Sequence, residues 1–266
     1  MTTPAPLAVV TGASSGIGRE LAAQFATNGF DLVITAEDAE LDRATEQLRG
    51  AGGRVDAVRA DLTTEAGVEQ LIDGVTGTGR PVDALVVNAG IGVGGPFVSD
   101  DSSLEDQLAV VDLNVRSSVH LAKRLLPGMV SRGAGRVLFT SSIAAVMPGP
   151  FQAVYNASKA FLLSLSEALR EELKDTGVTV TALLPGPTDT EFFERAGLED
   201  TKLGAGSKDD PAQVARQGFE AMMAGKHRVV AGSARNKAQV AAADVVPDPA
   251  LAAQHRKMSE PGSAET

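Results

Sequence analysis

Tyr155 is the only tyrosine in a chain of 266 residues, and Lys159 stands four places after it in the stretch VYNASKA. A phenol and an ammonium are the parts of a proton-transfer device. Free tyrosine has a pKa of about 10 and is a poor base near neutral pH, but a cation close by favours the phenolate and lowers that pKa. If the stretch is helical, positions i and i+4 share a face and Lys159 can sit beneath Tyr155. A downward shift of a few units would make the tyrosine a usable acid/base. Packing of a space-filling ring beside a solvated lysine is the competing reading, because so short a pattern arises readily by chance. Ser142 ends the run GRVLFTSS thirteen residues before Tyr155. Its hydroxyl could bond a substrate oxygen and stabilise charge that builds there, and Ser141 beside it competes for that role. Asn114 lies among Leu113, Val115 and Val119 in a helical pattern; the amide needs partners if buried and is an ordinary solvated residue if not.

A second group of residues suits an anionic ligand. TGASSGIG at 11–18 follows the apolar run LAVV and precedes a helical pattern. Backbone N–H groups at a helix N-terminus bind anions such as a pyrophosphate. Gly12 allows a tight turn, Ser14, Ser15 and Ile17 supply N–H groups, Gly16 lets the backbone approach phosphates, and Gly18 lets helix and strand pack closely. The spacing is G-x-x-x-G-x-G rather than the commoner G-x-G-x-x-G. A glycine turn without ligand is the bland alternative, and the position between strand and helix argues against it. The chain has no cysteine and only His120, His227 and His255. Disulfides and thiolate ligands are therefore excluded, and a dedicated metal centre is not expected.

The elements that must position these groups follow a simple rhythm. Short runs rich in Val, Leu and Ile occur at 7–10, 31–36, 54–60, 82–90, 135–142, 178–186 and 227–232. Several lack strict alternation, as strands covered on both faces of a parallel sheet do. Helix-like segments separate them, such as 18–29 with Leu21, Ala22 and Phe25 on one face and Gly29 as a stop. Strand–helix repetition predicts right-handed crossovers and an α/β doubly wound parallel sheet. No composition break divides the chain, so 1–266 reads as one domain. A net charge of −10 and a pI near 4.8 disfavour nucleic acid and anionic membrane surfaces as partners. No apolar run is long enough to span a membrane and no signal peptide is recognisable, which makes the cytoplasm the expected location.

TGASSGIG, the NAG of 88–90, Asn114, Ser142, YNASK at 155–159 and PGPTDT at 185–190 together resemble the short-chain dehydrogenase/reductase family, in its order and roughly its spacing, over about residues 5–232. The resemblance implies a Rossmann-type sheet of seven strands in the order 3-2-1-4-5-6-7, an NAD or NADP cofactor, and a catalytic set of Asn114, Ser142, Tyr155 and Lys159. It favours Ser142 over Ser141, gives Asn114 a water that relays protons to Lys159, and has Tyr155 and Lys159 touch the cofactor as well. It also implies cofactor contacts from Asp61 and Leu62 to adenine, from Asn88, Ala89 and Gly90 to ribose, and from Pro185, Gly186, Thr188 and Thr190 to the nicotinamide carboxamide. The family's selector between NAD and NADP lies at the end of the second strand. There the chain reads ITAEDAE, with Ala36 at the usual aspartate position, Glu37 next and Asp38 after it. A carboxylate at Glu37 accepts from a 2′-hydroxyl and repels a 2′-phosphate, which points to NAD.

These readings converge on an oxidoreductase for a small-molecule alcohol or ketone. Phe97, Met147, Phe151, Phe192 and Phe193 are candidates for an apolar substrate pocket. The polar, glycine-containing stretch 188–210 reads as a mobile substrate lid with little to anchor it, and EPGSAET at the C-terminus as a frayed tail. The predicted helix 156–174 is apolar nearly all round, which suggests a homodimer or homotetramer; burial under the C-terminal extension 233–266 is the alternative. A non-catalytic nucleotide-binding or redox-sensing regulator on the same fold is the rival function. A pure binder has no need of all four residues of the Asn-Ser-Tyr-Lys set.

Overall fold

The computed structural model describes residues 4–99 and 102–265. The ends of the expected single domain, 1–3 and 266, and the pair 100–101 lie outside the described residues. The chain order is β1 (Leu7–Thr11), α1 (Gly16–Thr27), β2 (Asp31–Ala36), α2 (Glu40–Ala51), β3 (Val55–Arg59), α3 (Glu65–Gly77), β4 (Ala84–Val87), α4 (Leu104–Val111), α5 (Ser117–Arg132), β5 (Gly135–Thr140), α6 (Ala153–Glu172), β6 (Val178–Pro185), α7 (Phe192–Arg195), α8 (Lys202–Ala205), α9 (Pro211–Met223), β7 (Arg228–Ala231), α10 (Ala234–Ala243) and α11 (Asp248–Ser259).

All seven strands pair in parallel in the order β3-β2-β1-β4-β5-β6-β7, as the resemblance implied. Successive side chains of a strand point to opposite faces, and β1 shows how the sheet is sealed on both. Ala8 and Val10 join a core with Leu21 and Phe25 of α1 and Val214 and Phe219 of α9. Leu7 and Val9 face the other way, into a core with Leu71 of α3, Leu121 of α5 and Leu162 of α6. This double cover explains the unbroken apolar runs of the central strands. The edge strand β3 is covered less well: only Val55 is buried, and half-buried and exposed residues alternate after it. The strand order reverses between β1 and β4, and a crevice opens there at the carboxyl ends of the strands.

Three expectations about local structure need correction. The helical pattern through Asn114 is interrupted: Asp112–Arg116 forms a π-helical turn between α4 and α5. Such turns widen a helix by one residue and re-aim a side chain, here Asn114. Second, α6 starts at Ala153, and its outer face is not covered by the C-terminal extension. The extension goes elsewhere, with α10 on β7 and on the short turn Ile143–Val146, and α11 on α8. Phe161 on α6, and Leu104, Leu108 and Val111 on α4, therefore remain exposed. Third, the tail is docked rather than frayed. Asp200 accepts from the amides of Gly262 and Ala264, and Ser263 Oγ accepts from the amide of Lys202. Among the described residues, no helix is long and apolar enough to cross a membrane, and no group of three or more His, Cys, Asp or Glu could hold a metal ion.

Candidate active site

The site is built where β5 ends and α6 begins. Ser141 and Ser142 are the first residues past β5, and their backbones point them differently. Ser141 Oγ donates to the carbonyl of Lys159 at 2.7 Å and is spent on holding α6. Ser142 Oγ accepts from the amide of Ala144 at 3.1 Å, donates to the carbonyl of Pro185 at 3.5 Å and favours the ionised form of Tyr155. Ser141 is thus occupied by α6, and Ser142 is the serine whose side chain acts on the phenol. Lys159 is 5 % exposed, and its Nζ donates to the carbonyl of Thr140 at 3.0 Å and lies 5.7 Å from the centre of the Tyr155 ring. Asn114 is fully buried. Its Oδ1 accepts from the amide of Ile91, and its Nδ2 donates to the carbonyl of Ile91 and to Ser158 Oγ. This excludes a solvated asparagine. It also places Asn114 one layer behind the cleft wall, bracing the loop after β4 against α6.

A Cβ added at Gly90 would stand 3.1 Å from both Asn114 Oδ1 and Lys159 Nζ. The glycine therefore keeps open the gap between an amide oxygen and a buried ammonium. The electrostatics differ from the simple expectation of a depressed phenol. Burial pushes Tyr155 up to about 12, and the hydrogen bond from Ser142 only partly opposes it. Burial pushes Lys159 down to about 8. Desolvation disfavours the charged form of each group and is the largest cause of both shifts.

The other half of the cleft is the glycine loop. Ser15 caps α1 without a side-chain hydrogen bond to the helix, so N–H groups of the first turn are left for a ligand. A Cβ at Gly18 would stand 2.0 Å from the carbonyl oxygen of Gly12 and 2.4 Å from Asn88 Nδ2; no side chain fits there. Asn88 laces three strands together. Its Nδ2 donates to the carbonyl of Thr11, its Oδ1 accepts from Thr140 Oγ1, and its amide donates to Thr11 Oγ1. At the end of β2, Glu37 is exposed while Asp38 turns inward. Asp38 Oδ2 accepts from Ser14 Oγ at 2.8 Å, and its Oδ1 is buried with no partner among the described residues. That orphan carboxylate oxygen in a glycine-lined groove suits the hydroxyls of a ribose.

One continuous cleft is lined by all the catalytic and cofactor-contact candidates of the sequence except Asn114. Among the apolar candidates, Met147, Phe192 and Phe193 line it, whereas Phe97 is 62 % exposed and Phe151 stands outside. Phe192 packs on Tyr155 with ring centres 5.1 Å apart. Phe193, Ala196 and Leu198 bury one another in a small core of their own, and Thr188 bridges to Asp209. Residues 188–210 are consequently better anchored than their polar composition suggested. Sequence reasoning missed Gln152, and the wall formed by Gln239 of α10 and by Gln254, His255 and Met258 of α11. Those lie far along the chain and carry no motif; only the fold brings them to the cleft.

Comparison with known proteins bears on the family and the fold. A family model described as short chain dehydrogenase matches residues 6–200. The chain is 33% identical over 208 residues to oxidoreductase UcpA of Salmonella typhimurium, covering 78% of this chain and 76% of that one. It superposes on a short-chain dehydrogenase from Sphingobium yanoikuyae in complex with NADPH with a TM-score of 0.78 and 31% identity, covering 85% of this chain and 87% of that one. A short chain dehydrogenase/reductase from Burkholderia phymatum in complex with NAD gives a TM-score of 0.79 at 27% identity, covering 92% and 94%.

Proposed function

The chain belongs to the short-chain dehydrogenase family, and from that premise we propose that it interconverts a secondary alcohol and a ketone with NAD or NADP. The observation that carries this reading is the meeting of Tyr155, Ser142 and Lys159 at the foot of a cleft whose other half is the glycine loop. When bound, the nicotinamide supplies or accepts the hydride. The chain's own residues do the rest. Gly12, Ser14, Ser15, Gly16, Ile17 and Gly18 cradle the phosphates, Asp38 takes the ribose, and Asp61 and Leu62 flank the adenine. Asn88, Ala89 and Gly90 form the floor, and Pro185, Gly186, Thr188 and Thr190 border the nicotinamide. Tyr155 gives its proton to the carbonyl oxygen in reduction and takes it back in oxidation. Ser142 bonds the same oxygen and steadies its charge. Lys159 holds a cation beneath the phenol, Asn114 fixes the loop that bounds them, and Phe192 keeps water from the Tyr155 ring. A screen of purified protein against a panel of alcohols and ketones, followed by cofactor absorbance with NAD and NADP in parallel, tests the reading. Turnover of none of them would refute it.

Asp38 sets a preference for NAD in this scheme, because its unpartnered Oδ1 would repel a 2′-phosphate and accept from a 2′-hydroxyl. Calorimetry should show NADH binding about tenfold weaker in Asp38→Ala, the cost of a lost charged hydrogen bond, with NADPH unchanged or tighter. Glu37→Arg, at an exposed position, should move the NADH-to-NADPH ratio less. An unaltered ratio in Asp38→Ala would remove that residue as the selector.

The open face shared by α4 and α6 supports a homo-oligomer. Leu104, Leu108 and Phe161 are 69 %, 51 % and 38 % exposed, an apolar patch of the kind that marks an interface. Light scattering at micromolar concentration should give a multiple of 27.3 kDa, and Leu108→Glu combined with Phe161→Glu should return the monomer. A wild-type mass of one chain throughout that range would count against assembly.

A further inference from the structure

We propose that Asn236 is a positioning residue, which holds the stretch 186–190 in the form that receives the nicotinamide end of the cofactor. The inference rests on the functional reading above and adds to it a part for the C-terminal segment. Asn236 lies in the first turn of α10, outside the residues 6–200 that match the family model. It is 3 % exposed and sits where three segments meet. Its Nδ2 donates to Asp209 Oδ2 at 2.6 Å and to the carbonyl of Ala231, at the end of β7, at 2.9 Å. An asparagine amide has two hydrogens to give, and both are engaged by the protein. Two glycines make room for this contact. A Cβ at Gly186 would stand 2.3 Å from Asn236 Nδ2, and one at Gly232 would stand 2.1 Å from Asp209 Oδ2. Neither position takes a side chain while amide and carboxylate keep their places.

Asp209 carries the contact into the cleft. Its backbone runs parallel to 187–189 as a short bridge. The amide of Asp209 donates to the carbonyl of Pro187 at 2.8 Å, and the amide of Asp189 donates to the carbonyl of Asp209 at 2.9 Å. Thr188, between those two rungs, is 5 % exposed. Gly186, Thr188 and Thr190 line the cleft on this side. The stretch belongs to no helix or strand, since β6 stops at Pro185 and α7 starts at Phe192. Asp209 fixes it, and one buried amide fixes Asp209. A loop already set in its bound form does not lose that freedom when the ligand arrives. α10 therefore contributes to cofactor affinity through this stretch, and at the nicotinamide end alone. The glycine loop and Asp38 follow β1 and β2, which β4 and β5 separate from β6.

The test compares NADH with ADP-ribose, which carries the adenine, both riboses and the pyrophosphate but no nicotinamide. NADPH and ADP-ribose 2′-phosphate take their place if the phosphorylated cofactor is preferred. Both affinities are measured by calorimetry on the full chain in wild type, Asn236→Leu, Asp209→Ala and Asp209→Asn. Leucine keeps the size of asparagine and removes both donors. Asn236→Leu should weaken NADH about tenfold, the cost of a hydrogen bond to a charged group left unmade, and leave ADP-ribose close to wild type. Asp209→Ala breaks the same bond from its other end and should weaken NADH as far. Asp209→Asn keeps an oxygen acceptor and should recover most of the loss. Combining Asn236→Leu with Asp209→Ala should add little to either alone, because the two act as one unit. In cofactor-free protein, the Asp189 amide should exchange its hydrogen about tenfold faster in Asn236→Leu, with β6 unchanged. Equal losses on NADH and ADP-ribose would mark general damage to the fold and overturn the proposal alone. So would an unchanged NADH affinity in both Asn236→Leu and Asp209→Ala. Should Asn236→Leu fail to fold, the two Asp209 variants decide. Wild type that bound neither NADH nor NADPH would refute the functional reading, and the proposal with it.

Discussion

Tyr155→Phe is expected to leave the fold and cofactor affinity intact and to lower turnover by about 10²–10⁴-fold, the range for a positioned acid/base. The ring contributes a face to Phe192, and phenylalanine keeps that face. What is lost is the hydroxyl, the group on which Ser142 acts and which stands in the cleft. Because Lys159 is held by the carbonyl of Thr140 and not by the phenol oxygen, its position should survive the change. Melting temperature and NADH calorimetry should therefore match wild type while single-turnover hydride transfer does not. Near-normal activity on any good substrate would make Tyr155 a packing residue. A large loss of stability would mean that the hydroxyl is part of the core, and the drop in rate would then say nothing about proton transfer.

Much of this arrangement was legible in the residues, for physical reasons that can be named. The central strands are sealed on both faces, so they appear as unbroken runs such as DLVITA, which β2 matches at both ends. The glycine loop was legible because Gly18 sits where no Cβ can. The π turn at Asn114 was hidden, since one extra residue in a helix leaves the apolar pattern on either side intact. The choice of Asp38 over Glu37 was hidden too. Both are carboxylates at the end of one strand, and only the turn of the backbone sends one inward to Ser14. The frayed tail failed as an expectation because composition reports the polarity of EPGSAET but not that Asp200 waits with two acceptors for its amides. The pKa of Tyr155 failed for a related reason. A sequence puts a lysine four residues from a tyrosine but does not reveal that both are buried, and burial is the larger effect.

That inversion shapes the second large expected effect. With Lys159 pushed down to about 8 and Tyr155 up to about 12, the proton that leaves first as pH rises is the lysine's. Oxidation of an alcohol needs a vacant base, which exists above the pKa of the group that holds the proton. The oxidation rate should therefore rise as pH climbs through about 8 and fall away below it. Reduction needs the acid form and should be level below that pH and decline above it. Since phenol and ammonium act as a unit, the midpoint belongs to the pair rather than to either residue. Lys159→Ala removes the member that titrates near neutrality and leaves a buried phenol with no cation beneath it. Turnover at pH 7 should drop by about 10²–10⁴-fold, and the rising limb of oxidation should move towards the phenol's own alkaline value. Cofactor affinity should weaken as well, because the cleft loses its buried cation, whereas in Tyr155→Phe it should not. A limb that stayed in place in Lys159→Ala would show that another group carries the proton, and Lys159 would then be a structural cation that ties α6 to the end of β5.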